Sequence, residues 1–469
     1  PYADYDHHCF PYSNALANGL GGLYAQAEAQ RPRCRNDEET EFIECAMRGL
    51  LAVKRIAEKF ADAAGQLLAG TADPTEHRFL TMIAETAKEV PWRRPETFYE
   101  ALCTIWFLHE VCASIEGVGM SVVGHLDRML GAFYRRDVAA GRLTAEEAYD
   151  LLARFMVYTD CTFDSEKSVA ESFNRQEQGE VVILGGCDDD GNEICNEVTL
   201  LVLRVHHEQK MLYPKIHCRI SKQSSQEFLD AINRDFLSGR NVIAFLNDDG
   251  LIPAQVKAGK RLPDARRYVA GGCWEIILEG HEHSAGANCY FNLPRVLDLT
   301  IHGHPELAGS GIVCEGIDDA KDFEEVYGIV LASVVRAIRQ MCATIGKNGR
   351  VWPQVAPAPF FSACLSDCLE NRTDYTAGGG RYNPHGLPLA GFAVFVDSLL
   401  AIRTLCFGPA NHPLADLLQA VRDNWEGHEA LRAQVLTMPH FGDNTPASNA
   451  LARRLLTDIH DRTRDLENE

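Results

Sequence analysis

Apolar positions recur at helical spacing from Glu41 to Leu68, through Ala-rich turns that contain no proline, which is the signature of an amphipathic helix. A second helix is expected over Thr97 to Ala113, behind a break marked by Pro91 and Pro95. A third is expected over Thr144 to Tyr158, where Thr144-Ala145-Glu146-Glu147 reads as a capping box with Glu147 at the third helical position. From about residue 180 the texture changes. Val181 to Leu184, Lys215 to Ile220, Val242 to Leu246 and Tyr268 to Ala270 are short apolar or β-branched runs. Helical stretches such as Ser225 to Phe236 separate several of them, and Gly- and Asp-rich turns bound them. Strands alternating with helices favour parallel pairing in an α/β sheet or barrel. Long helices return over Phe323 to Ile345 and Gly391 to Leu405. No repeat or linker-like composition divides the chain. One α/β domain over 1–469 is therefore expected, helical to about residue 160 and sheet-forming from about 161.

Composition adds boundaries. Hydrophobic residues make up 46% and charged residues 24% of the 469 positions, a globular rather than disordered balance. The formal net charge of −21 repels phosphates, and the cations are scattered, so no nucleic-acid surface is expected. The 16 cysteines show no compact disulfide spacing and fall within apolar runs, as at Cys103, Cys112 and Cys406. That usage fits a reducing or anaerobic cytosol, so a cytoplasmic location is expected. The best apolar stretch, Leu389 to Ile402, is interrupted by Asp397, and no signal peptide opens the chain, so no membrane association is expected. A start at Pro1 without an initiating Met reads as a trimmed or incomplete form.

The sharpest chemical feature is Gly271-Gly272-Cys273-Trp274-Glu275, directly after an expected strand. Two glycines permit a tight turn that sets the thiol on a loop tip. Residues two apart in extended backbone point the same way, so Cys273 and Glu275 can face one pocket. A carboxylate raises a neighbouring thiol's pKa and spoils it as an ionic nucleophile. The same pair suits one-electron work, with sulfur abstracting a hydrogen atom and the carboxylate acting as a base. From these residues alone, a cysteine packed in a turn beside a solvated glutamate remains the competing reading.

The order of segments resembles the glycyl radical enzymes of the pyruvate formate-lyase-like family, in the branch with a Cys-x-Glu loop. The resemblance rests on collinear motifs spread through nearly the whole chain. They begin with Val90-Pro91 and Pro95-Glu96-Thr97-Phe98-Tyr99-Glu100-Ala101-Leu102. Asp127 and Gly141-Arg142-Leu143-Thr144-Ala145-Glu146-Glu147-Ala148 come next, then Leu184-Gly185-Gly186, Asp190-Gly191 and Asn196-Glu197. Phe245-Leu246-Asn247-Asp248-Asp249 with Ile252-Pro253 precedes Ala265-Arg266, Tyr268 and the Cys273-x-Glu275 loop. Phe291-Asn292-Leu293, Asp367-Cys368, Gly378-Gly379, Tyr382-Asn383, Asp397-Ser398-Leu399 and Phe441-Gly442-Asp443-Asn444 complete the series.

The resemblance implies a ten-stranded α/β barrel of two parallel half-barrels wrapped by helices, with a helical N-terminal part. It implies that Cys273 is the thiyl-radical residue and Glu275 the base of a lyase acting on a small organic molecule. No metal or organic cofactor is implied for turnover; a radical-SAM activating enzyme would install a glycyl radical. The family's R-V-x-G-Y-like glycine segment is not found in this sequence. A fragment, a subunit completed by a glycine-bearing partner chain and a degenerate homologue account for that, in this order, and a homodimer accords with the family. A non-catalytic barrel that binds a small molecule or a partner chain is the rival reading.

The substrate side departs from the diol dehydratases of the family. Met120 stands near an expected His and Ala287 near an expected Asp, with Asn288 and His281 the neighbouring polar candidates for substrate contact. His125-Leu126-Asp127-Arg128 replaces the usual R-x-D-Q, and Trp274 is bulky where a small aliphatic residue is familiar. A less polar pocket suits an aromatic or weakly polar acid, and hence decarboxylation. Other clusters carry less. His281-Glu282-His283 lacks further metal ligands at suitable spacing, Cys364 and Cys368 read as buried helix thiols, and Gly378-Gly379-Gly380 lacks a phosphate-binding Lys. Asp188-Asp189-Asp190-Gly191 lacks the downstream Glu of a calcium loop and reads as a solvated turn.

Overall fold

A computed structural model describes residues 4–159, 180–272, 274–284, 290–303 and 314–467. Its contacts divide the chain into two compact units, Pro1–Gly286 with Trp352–Pro384, and Ala287–Val351 with His385–Glu469.

The first unit is organised by a five-stranded parallel sheet in the order β1-β2-β3-β4-β5. The strands are β1 (Asp4–Cys9), β2 (Val118–His125), β3 (Val181–Gly185), β4 (Lys215–Ile220) and β5 (Ile243–Asn247). β3 to β5 are the runs expected from the sequence. All five residues of β3 are buried, as a parallel strand covered on both faces requires. β1 and β2 were not expected, and they place two strands in the third of the chain that reads as helical. Helices fill the crossovers: Leu126–Ala139 and Ala145–Thr159 follow β2, Glu197–Glu208 follows β3, and Gln226–Leu237 follows β4.

The expected helices form where the capping chemistry placed them. Thr144 Oγ1 accepts the Glu147 N–H at 3.2 Å, and the Glu147 carboxylate accepts the Thr144 N–H at 2.9 Å. Asn36 caps the long helix Asp37–Leu68 by accepting the Glu39 N–H at 2.8 Å, and the helix packs Ile43, Met47 and Leu50 into the core. A short antiparallel hairpin, β6 (Tyr268–Ala270) and β7 (Ile276–Leu278), packs beside β2 and β3. The five-stranded sheet is one parallel half of the expected barrel; a second five-stranded half is not among the described residues.

The second unit is helical. Its strands among the described residues are the two-residue pair β8 (Phe291–Asn292) and β9 (Leu389–Ala390). Helices Leu293–His302, Phe323–Gly349, Phe392–Cys406 and Pro446–Thr463 share a core that includes Val330, Leu331, Leu399, Leu400 and Leu455. The stretch Phe323–Val355 has the length and hydropathy of a membrane span, which the sequence analysis did not pick out. Val326, Val330, Val334 and Ala337 on it are buried in this core. The thirteen described cysteines are free thiols. Cys364 and Cys368 are buried at the end of one short helix and the start of the next, as expected.

Candidate active site

The β6–β7 hairpin is short because only three residue pairs fit before the chain must turn: Tyr268 with Leu278, Val269 with Ile277, and Ala270 with Ile276. At the tip the Gly271 N–H donates to the Glu275 carbonyl at 2.8 Å, and the Trp274 N–H donates to the Gly271 carbonyl at 3.0 Å. Cys273 lies outside the described residues, between Gly272 and Trp274 in sequence.

Both tip glycines have close side-chain neighbours. A Cβ on Gly271 would lie 2.8 Å from Cδ of Glu275, and one on Gly272 would lie 3.0 Å from Nε2 of His7. A side chain at either position would push the end of Glu275 or His7 aside, so the two glycines leave room for the Glu275 carboxylate to meet His7. That contact joins Oε1 of Glu275 to Nδ1 of His7. The two side chains are 20% and 30% exposed, so the pair is partly open rather than sealed in the core.

Trp274 follows at a φ of +68°, a left-handed conformation that costs a non-glycine residue ~1–2 kcal/mol. Its ring lies nearly parallel to that of His217, with centroids 6.3 Å apart and an interplanar angle of 24°. His217 sits on β4, where alternation sends Ile216 and Cys218 into the apolar core and turns His217 and Arg219 towards the hairpin. Burial pushes the His217 imidazole down to about 4, aided by Lys215 and opposed by the carbonyl of Ala270 and by Glu275. It is therefore neutral at pH 7.

On the adjoining side, the Ser284 N–H donates to Nδ1 of His8 at 3.1 Å, so neutral His8 carries its proton on Nε2. His8 is fully buried against the rings of Phe361 and Tyr375.

The other candidate residues separate. Met120 lies on β2 and is packed into the apolar core of the unit. His281 lies 3.5 Å from Asp264, and burial pushes it down to about 4. The neighbours of His281 diverge: Glu282 pairs with Lys260 at 2.5 Å, and His283 packs on Tyr375 and Trp352. Among the described residues no three His, Cys, Asp or Glu side chains converge as metal ligands. Ala287 and Asn288 lie outside the described residues. The turn at Asp188–Gly191 is only half as expected. Asp188 accepts backbone N–H groups of its own loop, but Asp189 pairs with Arg128 and Arg267 at the foot of the hairpin.

Sequence reasoning missed His7, His217 and Arg219. Two adjacent histidines in a polar hexapeptide carry no strand signal. The usable sign was at 215–219, where a His and an Arg alternate with apolar residues in a strand that buries both faces.

A profile of proteins described as pyruvate formate lyase-like matches residues 2–469. The (2S)-3-sulfopropanediol dehydratase of Klebsiella oxytoca is 28% identical over 456 residues, which cover 94% of this chain and 55% of that protein. The trans-4-hydroxy-L-proline dehydratase of Clostridioides difficile is 28% identical over 410 residues, covering 85% of this chain and 52% of the relative. The chain thus spans about half the length of these curated relatives. Among solved structures, a glycyl radical enzyme from Archaeoglobus fulgidus superposes with a TM-score of 0.89 at 26% identity, covering 99% of this chain and 60% of that one. With a match along the whole chain and the hairpin in place, this chain belongs to the pyruvate formate lyase-like family and has the fold of the glycyl radical enzymes.

Proposed function

We propose that this chain supplies the cysteine hairpin and acid–base pair of a glycyl radical lyase that breaks a C–C or C–X bond in a small organic substrate. One observation carries the reading: the hairpin tip delivers the Glu275 carboxylate to His7, two residues from Cys273. A glycyl radical, installed by a radical-SAM activating enzyme on a glycine that the chain's motifs do not identify, supplies the unpaired electron.

The chain's own residues do the rest. The Cys273 thiyl takes a hydrogen atom from a substrate carbon, leaving a thiol and a carbon radical. Glu275 accepts a proton from a group on that carbon while the bond to the neighbouring substituent breaks, and then gives that proton to the departing group, or to the product carbon where CO2 departs, which restores the carboxylate; His7 steadies its charge. The product radical then recovers the hydrogen atom from the Cys273 thiol, so the cycle is redox-neutral. General-base assistance of this kind contributes about 10²–10⁴-fold. The Trp274 ring, braced on His217, offers an apolar surface at the hairpin tip, which suits an aromatic or weakly polar acid and decarboxylation. The named activities of the relatives, a diol-sulfonate dehydratase and a hydroxyproline dehydratase, make C–O elimination the competing outcome.

The test is turnover of an arylacetate, a vicinal diol and a 4-hydroxyproline by the activated protein under anaerobic conditions. Cys273→Ala is expected to abolish turnover of whichever substrate reacts. Undiminished turnover by Cys273→Ala would exclude the mechanism, and no turnover of any substrate by the activated wild type would favour a binding scaffold.

A further inference from the structure

The foot of the hairpin is built around one fully buried cation. Arg219, on β4, is 0% exposed and is the largest wholly enclosed side chain among the described residues. All of its guanidinium nitrogens are engaged. Nε and Nη2 fork onto the two Asp248 oxygens at 2.9 and 2.8 Å. Nη1 donates to Nε2 of His125 at 3.0 Å, and to the backbone carbonyls of Arg266 and Tyr268 at 2.9 and 3.1 Å. The guanidinium carbon also lies 3.9 Å from the centre of the Tyr268 ring, and the Tyr268 hydroxyl donates to Asp248 at 2.5 Å.

The acceptors lie at three separate elements. His125 ends β2, Asp248 follows β5, and Arg266 and Tyr268 lead into and begin β6. Room for the cation is specified by Gly186, where a Cβ would sit 2.6 Å from Nε of Arg219. His125 completes the arrangement as a neutral acceptor. Its Nδ1 faces the Asp127 carboxylate at 3.5 Å, which leaves the Nε2 lone pair for Arg219.

A core cation paired with a single carboxylate would need no carbonyls. Here two of the contacts go to the backbone that enters the hairpin, so the position of β6 is written into the geometry of Arg219. β6 has only three ladder pairs with β7 to hold it, and its last residue adjoins Gly271. We infer that Arg219 is a positioning residue for the hairpin: through the Arg266 and Tyr268 carbonyls it fixes where the Glu275–His7 pair stands. The inference rests on the proposed lyase reading for its purpose, though not for its test.

Lysine cannot reproduce the fork onto Asp248 together with the two carbonyl contacts, because an ammonium has three donors around one centre. Hydrogen exchange followed by mass spectrometry therefore compares Arg219→Lys with wild type. Amides of 268–278 are expected to exchange at least tenfold faster, while those of the β3, β4 and β5 ladder stay within threefold. Unchanged hairpin exchange in folded Arg219→Lys would overturn the inference. An equal rise throughout the sheet would also overturn it, by showing only a general structural role. Should Arg219→Lys fail to fold, Tyr268→Phe decides, since it removes one hydroxyl from the same cluster: a hairpin-specific rise of about threefold supports the inference, and none refutes it. In activated protein, kcat of Arg219→Lys should fall tenfold or more with KM within twofold, whereas a loss confined to KM would refute positioning. Failure of the lyase reading shows separately, as turnover by Cys273→Ala, and leaves the exchange result standing.

Discussion

The two ends of the β6–β7 hairpin are built on opposite terms. At the foot, Arg219, Asp248, His125 and Tyr268 are buried, and the cation's donors all have acceptors. At the tip, Glu275 and His7 are partly exposed, Trp274 holds a left-handed backbone, and two glycines make room for charge. Buried polar groups that are fully paired stiffen a structure, and leaving one partner unpaired is costly. In the proposed lyase, groups that exchange protons with a substrate need access and a geometry the local chain would not choose by itself. The comparison teaches that the strain and exposure of the tip are tolerable because the foot is over-determined.

This contrast can be broken most directly at the tip. Glu275→Gln should lower turnover by about 10²–10⁴-fold, the usual worth of a positioned base, while shifting the urea midpoint little; a large loss of stability with activity retained would reverse the assignment of the two ends. At the foot, Asp248→Ala strands Arg219 in the core and is expected to cost ~3–5 kcal/mol in urea unfolding. Gly186→Ala, which forces a Cβ into Arg219 at a φ of +75°, should cost at least ~1–2 kcal/mol for the backbone alone. Trp274→Gly should act in the opposite direction. It relieves the φ of +68° and should forfeit the apolar wall, so substrate selectivity should broaden while stability changes by about 1 kcal/mol or less, the relief being offset by lost stacking and glycine's greater unfolded-state entropy.

A pH dependence carries a contribution from each end. Burial pushes both His217 at the tip and His125 at the foot down to about 4. A depressed histidine binds fewer protons folded than unfolded between about pH 4 and the ordinary value of about 6.5. Each therefore contributes stability that is present above pH 6.5 and lost as the pH falls towards 4. Urea midpoints measured across that window should decline on acidification, less steeply in His217→Gln. Glu116 works against this trend. Burial raises it to about 8 although it accepts the Phe360 and Phe361 N–H groups, so its share of stability declines as the pH rises from about 4.5 to 8.

Local chemistry made much of this legible beforehand. β3 to β6 announced themselves as β-branched or apolar runs between turn residues, and the Thr144–Glu147 box set a helix start that the structure reproduces. Gly271-Gly272 was read as a tight turn, and the structure adds that each glycine also avoids a specific side chain. β1 and β2 escaped because their strand character is not local. One is Asp-Tyr-Asp-His-His-Cys and the other contains two glycines; each is a strand because a neighbour offers it a ladder.

The sequence by itself determined the family, the tight turn at Gly271-Gly272 and the Cys-x-Glu spacing, since these depend on residue order over a few positions and on motifs in series. Only the tertiary structure decided that Glu275 would meet His7, 268 residues away, that Trp274 would stack on His217, and that Arg219 would grip the foot of the hairpin. Such pairings depend on which strands lie side by side and in what register. Burial of the whole chain sets that arrangement, and no window of sequence contains it.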